Sequence, residues 1–242
     1  MIVLAAGMPR AGSGWHFNLA HDLMKTAGSI DSGKIRERYR LSSILTEVNY
    51  NIGVLSPRRL ALVLVPALQG KTFVVKAHAS PTWASNLLMR AGLLRATYIY
   101  RDPRDAMLSA YEYGRRSLEK GRPNAFSHLT DFEASLHFMR GYVRIWEKWA
   151  SLSGVHRLRY EDLLVDYPAQ ASALARFLGL DPQNPQVASV IDGYRPGTVD
   201  DQRGLHFFRG QVGRFRERYT EDEQRRLSAA FGAVLPRMGY GV

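Results

Sequence analysis

The stretch that most limits what this chain can become lies at its start. Ile2-Val3-Leu4-Ala5-Ala6 is an apolar run of strand length. Gly7-Met8-Pro9-Arg10-Ala11-Gly12-Ser13-Gly14-Trp15 follows, and then Leu19, Leu23 and Met24 recur at helical spacing. A strand running through a glycine loop into a helix is a cradle for an oxyanion. Glycines let backbone N–H groups converge, the helix N-terminus adds partial positive charge, and Arg10 adds a full one. The expected ligand is a phosphate or a sulfate.

Two positions narrow that class. A Walker A loop reads G-x-x-x-x-G-K-[ST]; Gly7 and Gly12 keep that spacing, but Ser13 stands where the lysine belongs and Gly14 where the Mg²⁺-binding hydroxyl belongs. A P-loop phosphotransferase or kinase would therefore lack two of its defining side chains. The cation stands earlier, at Arg10, directly after Pro9.

Composition sets the outer bounds. The 242 residues suffice for one large α/β core, and no linker or compositional break divides them, so one domain over 1–242 is expected. Lys and Arg number 33 against 22 Asp and Glu, a formal charge of +11, which calls for an anionic partner. Charge alone leaves nucleic acid, membrane, anionic cofactor and acidic glycan open. The absence of cysteine excludes disulfides, cysteine-ligated zinc and a thiol nucleophile. No signal-peptide pattern precedes the glycine loop, and the apolar run from Leu60 to Leu68 is too short to span a bilayer. A cytoplasmic protein without stable membrane insertion is expected.

Further strands deliver chemistry to their C-terminal ends. Thr72-Phe73-Val74-Val75 leads into Lys76-Ala77-His78, two apart on one strand face, and in open α/β sheets that end faces the ligand crevice. A neutral imidazole can take a proton from an acceptor while an ammonium stabilises a transferring anion. Arg95 to Tyr100 reads as a strand ending at Arg101. Asp102-Pro103 then turns into a helix with Asp105 in its first turn and Ser109 about two turns in. Arg104 is read as structural. Ser56-Pro57 opens another helix, Trp83 is read as core, and Arg115 to Asn124 as a loop or a lid. The stripe Phe132, Leu136, Met139, Val143, Trp146, Trp149 marks a long amphipathic helix. Val155 to Leu164 is a short strand followed by Tyr160-Glu161-Asp162.

The string Pro9-Arg10-Ala11-Gly12-Ser13-Gly14-Trp15 resembles the phosphosulfate loop of sulfotransferases that use 3′-phosphoadenosine 5′-phosphosulfate (PAPS). Lys76-Ala77-His78 resembles their Lys-Thr-His element, and Arg101-Asp102-Pro103-Arg104-Asp105 through Ser109 and Tyr111 their 3′-phosphate motif. Tyr160-Glu161-Asp162-Leu163 and Phe208-Arg209-Gly210-Gln211-Val212-Gly213 resemble two later elements, in the family's order. The resemblance implies His78 as the catalytic base assisted by Lys76 and Arg10. It places cofactor contacts at Arg10, Ala11, Gly12, Ser13, Gly14 and Trp15, the last stacking on adenine. Arg101 and Ser109 would take the 3′-phosphate, Tyr160 the adenine side, and Phe208, Arg209 and Gly210 would close over the nucleotide.

Departures are equally specific. Ala11 and Gly14 replace hydroxyl residues, Phe208 replaces an arginine for which Arg203 is the candidate substitute, and Arg214-Phe215 replaces Asp-Trp. The family's dimerisation motif is not reproduced near Tyr219-Thr220-Glu221, which leaves the oligomeric state open. The expectation is a single α/β domain with a central parallel sheet flanked by helices and a P-loop-like phosphosulfate loop after the first strand. It would move a sulfuryl group from PAPS to a hydroxyl or amine, release adenosine 3′,5′-bisphosphate (PAP) and require no metal. Its partner would be a small-molecule, glycan or lipid acceptor, not nucleic acid. The competing classes are a P-loop phosphotransferase and a non-enzymatic polyanion-binding protein.

Overall fold

The computed structural model describes residues 1–196 and 211–241. Four parallel strands, β1 (Ile2–Gly7), β2 (Phe73–Ala77), β3 (Leu94–Tyr100) and β4 (His156–Arg159), form a sheet in the order β2-β1-β3-β4. β1 and β2 are nearly continuous apolar runs buried along their whole length, as strands covered on both faces must be.

The side-chain alternation of these strands builds two separate cores. Ile2, Leu4, Ala6, Val75, Ala77, Ala96 and Tyr98 face one side. They pack there with residues of α3 (Pro57–Leu68), α6 (Phe132–Ala150) and α11 (Glu221–Phe231). Val3, Ala5, Val74 and Ile99 face the other side. Against them lie α1 (Ser13–Thr26), α7 (Tyr160–Val165), α8 (Tyr167–Phe177) and α9 (Pro185–Gly193). The result is the expected α/β domain, a central parallel sheet between two helical layers.

The remaining helices are α2 (Ser32–Arg38), α4 (Trp83–Arg90), α5 (Pro103–Glu119) and α10 (Phe215–Arg218). Their starts follow the sequence signals. Pro57 opens α3 with Ser56 Oγ accepting from Arg59 N at 3.4 Å, and Pro103 opens α5 with Asp102 Oδ1 accepting from Arg104 N at 2.9 Å.

Two expectations change. α5 runs on to Glu119, so the first half of the segment read as a loop or lid is helix. Trp83, read as core, is 70% exposed: α4 buries its small residues Ala84 and Ser85 against the sheet and turns Trp83 and Leu87 outward.

Register aligns the functional ends. Ala6 pairs with Ala77 and Gly7 with Ile99, so the residues just past β1, β2 and β3 emerge at one level on one edge. β1 lies between β2 and β3, and its two neighbours are reached in opposite directions. This is the switch point at which an open α/β sheet forms its crevice.

Candidate active site

The glycine loop turns out of β1 through two left-handed residues, Arg10 at φ 63° and Gly12 at φ 74°. A Cβ on Gly12 would stand 2.8 Å from the Tyr160 ring, so glycine is required by backbone angle and by space. Gly12 is also the N-cap of α1 and brings no side chain to the first-turn N–H groups, and that turn carries no acidic residue. The partial positive charge of the α1 N-terminus is therefore not offset by a side chain of its own first turn.

Arg10 reaches away from its loop. Its Nε donates to Ser109 Oγ at 3.2 Å, and its guanidinium lies 4.3 Å from the Tyr113 ring centre and 5.9 Å from that of Phe126. Burial lowers its pKa; the Tyr113 phenol opposes that, and the Arg116 and Arg101 charges add to it.

Lys76 and His78 arrive from β2. Val74 faces the α1 side, so Lys76 and His78, two and four residues on, are directed to the same side. His78 sits level with Gly7, and its Nδ1 lies 2.6 Å from the Gly7 carbonyl. Nδ1 must donate there, which leaves Nε2 with its lone pair toward the crevice. Burial first, and then the Lys76 charge, lower the His78 pKa to about 4, while the Gly7 bond pulls it upward. Burial and the Arg10 charge lower the buried Lys76 ammonium to about 8. Behind them His16 of α1 is fully buried, hydrogen-bonded to Thr97 Oγ1, and held neutral at about 3 by burial and by the His156 and Lys76 charges.

Arg101 follows β3 and is 7% exposed. Its Nη2 donates to Asp105 Oδ2 at 3.3 Å and to the Gln211 carbonyl at 2.8 Å, and its guanidinium lies 4.8 Å from the Tyr160 ring centre. Its Nε is buried with no hydrogen-bond partner among the described residues. Tyr160 therefore touches both halves of the site, Gly12 on one side and Arg101 on the other. Asp102 Oδ2 pairs with Arg104 Nη2 at 2.8 Å, and Asp102 N donates to Glu161 Oε1 at 3.2 Å. Tyr240 hydroxyl donates to Glu161 Oε2 at 2.6 Å. Arg104 is thus structural, as expected.

The structure brings Arg10, Gly12, Ser13, Gly14, Lys76, His78, Arg101, Ser109 and Tyr160 to the C-terminal edge of the sheet. Ala11 is fully buried beneath the loop. The Trp15 ring packs in the core on the α1 side of the sheet. The ring is 3% exposed, stacks on Tyr167 at 5.5 Å and donates from Nε1 to the Tyr194 carbonyl at 3.0 Å. Within the first turn of α1, its side chain meets Tyr167 of α8 and the C-cap residue of α9, Tyr194. Phe208, Arg209 and Gly210, with Arg203, lie outside the described residues.

Sequence reading missed Phe126 and the contacts of Asp105; Asp105 carried a signal, as an acidic residue inside a basic motif. Among the described residues, no group of three or more His, Asp or Glu could hold a metal ion, and no helix is long and apolar enough to cross a membrane.

Comparison with solved structures places this geometry. Retinol dehydratase in complex with androsterone and inactive cofactor PAP superposes with a TM-score of 0.60 at 20% identity, covering 96% of this chain and 80% of that one. The same enzyme with retinol and PAP gives 0.61 at 19%, with the same coverage. Mouse sulfotransferase SULT7A1 complexed with PAP gives 0.58 at 15%, covering 97% of this chain and 84% of that one. At such identities the likeness is one of fold. No curated protein matches the sequence significantly. A family model, the sulfotransferase domain, matches residues 2–239, nearly the whole length, and the chain belongs to that family.

Proposed function

We propose that this sulfotransferase uses PAPS and transfers its sulfuryl group to a hydroxyl or amine of an acceptor, with His78 as general base. The observation that carries the reading is an excess of buried positive charge at the crevice. Arg10, Lys76 and Arg101 converge there, burial and the Arg10 charge lower the proton affinity of Lys76, burial and the Arg116 and Arg101 charges lower that of Arg10, and Arg101 Nε has no partner among the described residues. Cations held together against their own repulsion fit a polyanion, and the N-terminus of α1 adds partial positive charge for the same ligand. PAP bound in the fold neighbours supports the nucleotide assignment.

PAPS supplies the sulfuryl group and leaves as PAP. The protein's part is to bind, orient and move one proton. Arg101 and Ser109 hold the 3′-phosphate, the guanidinium through a charge-assisted hydrogen bond from its unpartnered Nε. Ser13, Gly14 and Trp15 offer backbone N–H groups to the 5′-phosphosulfate. Arg10 and Lys76 stabilise negative charge growing between the sulfuryl group and its leaving oxygen. His78 Nε2 takes the acceptor proton, while Gly7 fixes the tautomer through Nδ1. An anion in the site offsets the Lys76 charge and raises the His78 pKa from its low value toward neutrality, where it is a better base.

The acceptor is a small-molecule, glycan or lipid alcohol or amine. The retinol and androsterone of the fold neighbours make apolar alcohols the first ones to assay. Calorimetric titration with PAP, beside ATP plus Mg²⁺, at physiological and raised salt tests the reading. One-to-one PAP binding much tighter than ATP supports it. Equal binding of the two, or binding that collapses steeply with salt, returns the chain to a phosphotransferase or a polyanion binder.

A further inference from the structure

One charged group at the site has no part in that scheme. Asp105 stands in the first turn of α5, four residues after Arg101, with a side chain fully shielded from solvent. Its carboxylate gathers three donors from two distant parts of the chain. Oδ2 accepts from Arg101 Nη2 at 3.3 Å and from Gly213 N at 2.6 Å, and Oδ1 accepts from Phe215 N at 3.0 Å. Arg101 Nη2 reaches the same segment again through the Gln211 carbonyl at 2.8 Å, and Arg104 lies 4.3 Å from the Phe215 ring centre.

We propose that Asp105 is a positioning residue for the 3′-phosphate. It fixes the guanidinium of Arg101 in the direction that phosphate requires and locks residues 211–215 beside it. The inference rests on the reading of Arg101 as the 3′-phosphate ligand. Asp105 and the Gln211 carbonyl occupy Nη2, and Tyr160 covers one face. The guanidinium has little rotational freedom left, and its unpartnered Nε is held in a single orientation. A buried carboxylate with three N–H donors stays put, because losing them leaves a desolvated charge unsatisfied. Arg101 also lies close enough to Arg10 to lower its pKa.

A purely structural anchor would affect all ligands alike; a positioning residue affects only the phosphate that Arg101 meets. The test compares PAP with 5′-AMP, which lacks the 3′-phosphate, by calorimetry on wild type and Asp105→Asn. Wild type is expected to prefer PAP. In Asp105→Asn that preference should shrink about tenfold, the size of one charge-assisted hydrogen bond, with AMP affinity almost unchanged. Loss of both affinities in parallel, or of neither, overturns the proposal. Wild type binding PAP and AMP equally overturns the Arg101 reading itself, and the inference with it.

Hydrogen exchange on the wild-type protein gives a second measurement should Asp105→Asn fold poorly. PAP should protect the Gly213 and Phe215 amides and AMP should not. Equal protection by both ligands, or none by PAP, overturns the proposal.

Discussion

Arg10 Nε donates to Ser109 Oγ at 3.2 Å, joining residues 99 apart in sequence. One belongs to the glycine loop after β1 and the other to the second turn of α5, so a single hydrogen bond links the two proposed anion subsites. The link exists because β1 and β3 are neighbours whose ends stand level. It makes the two subsites energetically dependent on each other.

That dependence is measurable. Ser109→Ala should weaken PAP binding by about tenfold, the loss of one hydrogen bond to a charged group. Arg10→Gln should weaken it as well. The double variant should lose less than the sum of the two, because one interaction is counted in both. Calorimetry on the four proteins checks this, and strict additivity would show that the bond carries no coupling.

The site divides into what local strings encode and what only the fold encodes. The glycine loop, Lys76-Ala77-His78, and Arg101 through Ser109 each lie within one strand-to-helix turn, where backbone conformation and residue type constrain each other over a few positions. They were legible for that reason. The Trp15 position was legible but its packing partners were not, because Tyr167 of α8 and Tyr194 after α9 lie more than 150 residues away. Trp83 was misread because tryptophan's usual burial gave way to a helix that docks through Ala84 and Ser85. Asp105 with Gly213, and Arg10 with Tyr113, are contacts across about a hundred residues, and no periodicity reports them.

In the proposed scheme His78 and Lys76 together set a pH profile. His78 serves only as the neutral imidazole, and its pKa of about 4 means that charge returns, and activity falls, as pH drops through that value. Lys76 serves only as the ammonium, and at about 8 it loses its proton as pH rises. The profile of kcat/KM, which reports the free enzyme, should therefore be a broad bell between these limbs. His78→Ala should lose about 10²- to 10⁴-fold in kcat while PAP affinity stays near wild type. Activity that keeps climbing well above the Lys76 value would remove the lysine from the scheme, and loss of PAP binding in His78→Ala would remove the histidine as base.

Stability should follow pH through the same groups. His16 at about 3 and His78 at about 4 both titrate below the ordinary histidine value of 6.5. Between those values the unfolded chain binds protons that the folded protein refuses. Stability is therefore complete above about 6.5 and is lost as pH falls toward the folded values, by about 1.4 kcal/mol per pH unit for each histidine. Urea unfolding across this range measures the slope, and His16→Gln or His78→Asn should each remove a part of it. A slope unchanged in both variants would mean that neither histidine is held neutral by the fold.

Two glycines should respond in opposite directions to the same added methyl group. A Cβ on Gly114 of α5 would lie 2.2 Å from the Phe126 carbonyl oxygen, because residues after α5 fold back across that helix. The returning segment is fixed by its own bonds: Asn124 Oδ1 accepts from Phe126 N at 2.7 Å, Leu129 N donates to the Phe126 carbonyl at 3.0 Å, and Leu129 is buried. It has little room to yield, so Gly114→Ala should cost about 1–3 kcal/mol through overpacking and draw Phe126 away from Arg10. Gly141 of α6 has nothing within 4 Å of the corresponding position. There the change removes only glycine's backbone freedom, so Gly141→Ala should stabilise by about 1 kcal/mol. Urea unfolding of both variants decides the matter. A Gly114→Ala protein as stable as wild type would mean that the segment from Asn124 to Leu129 is held loosely and Phe126 is free to leave the Arg10 side chain.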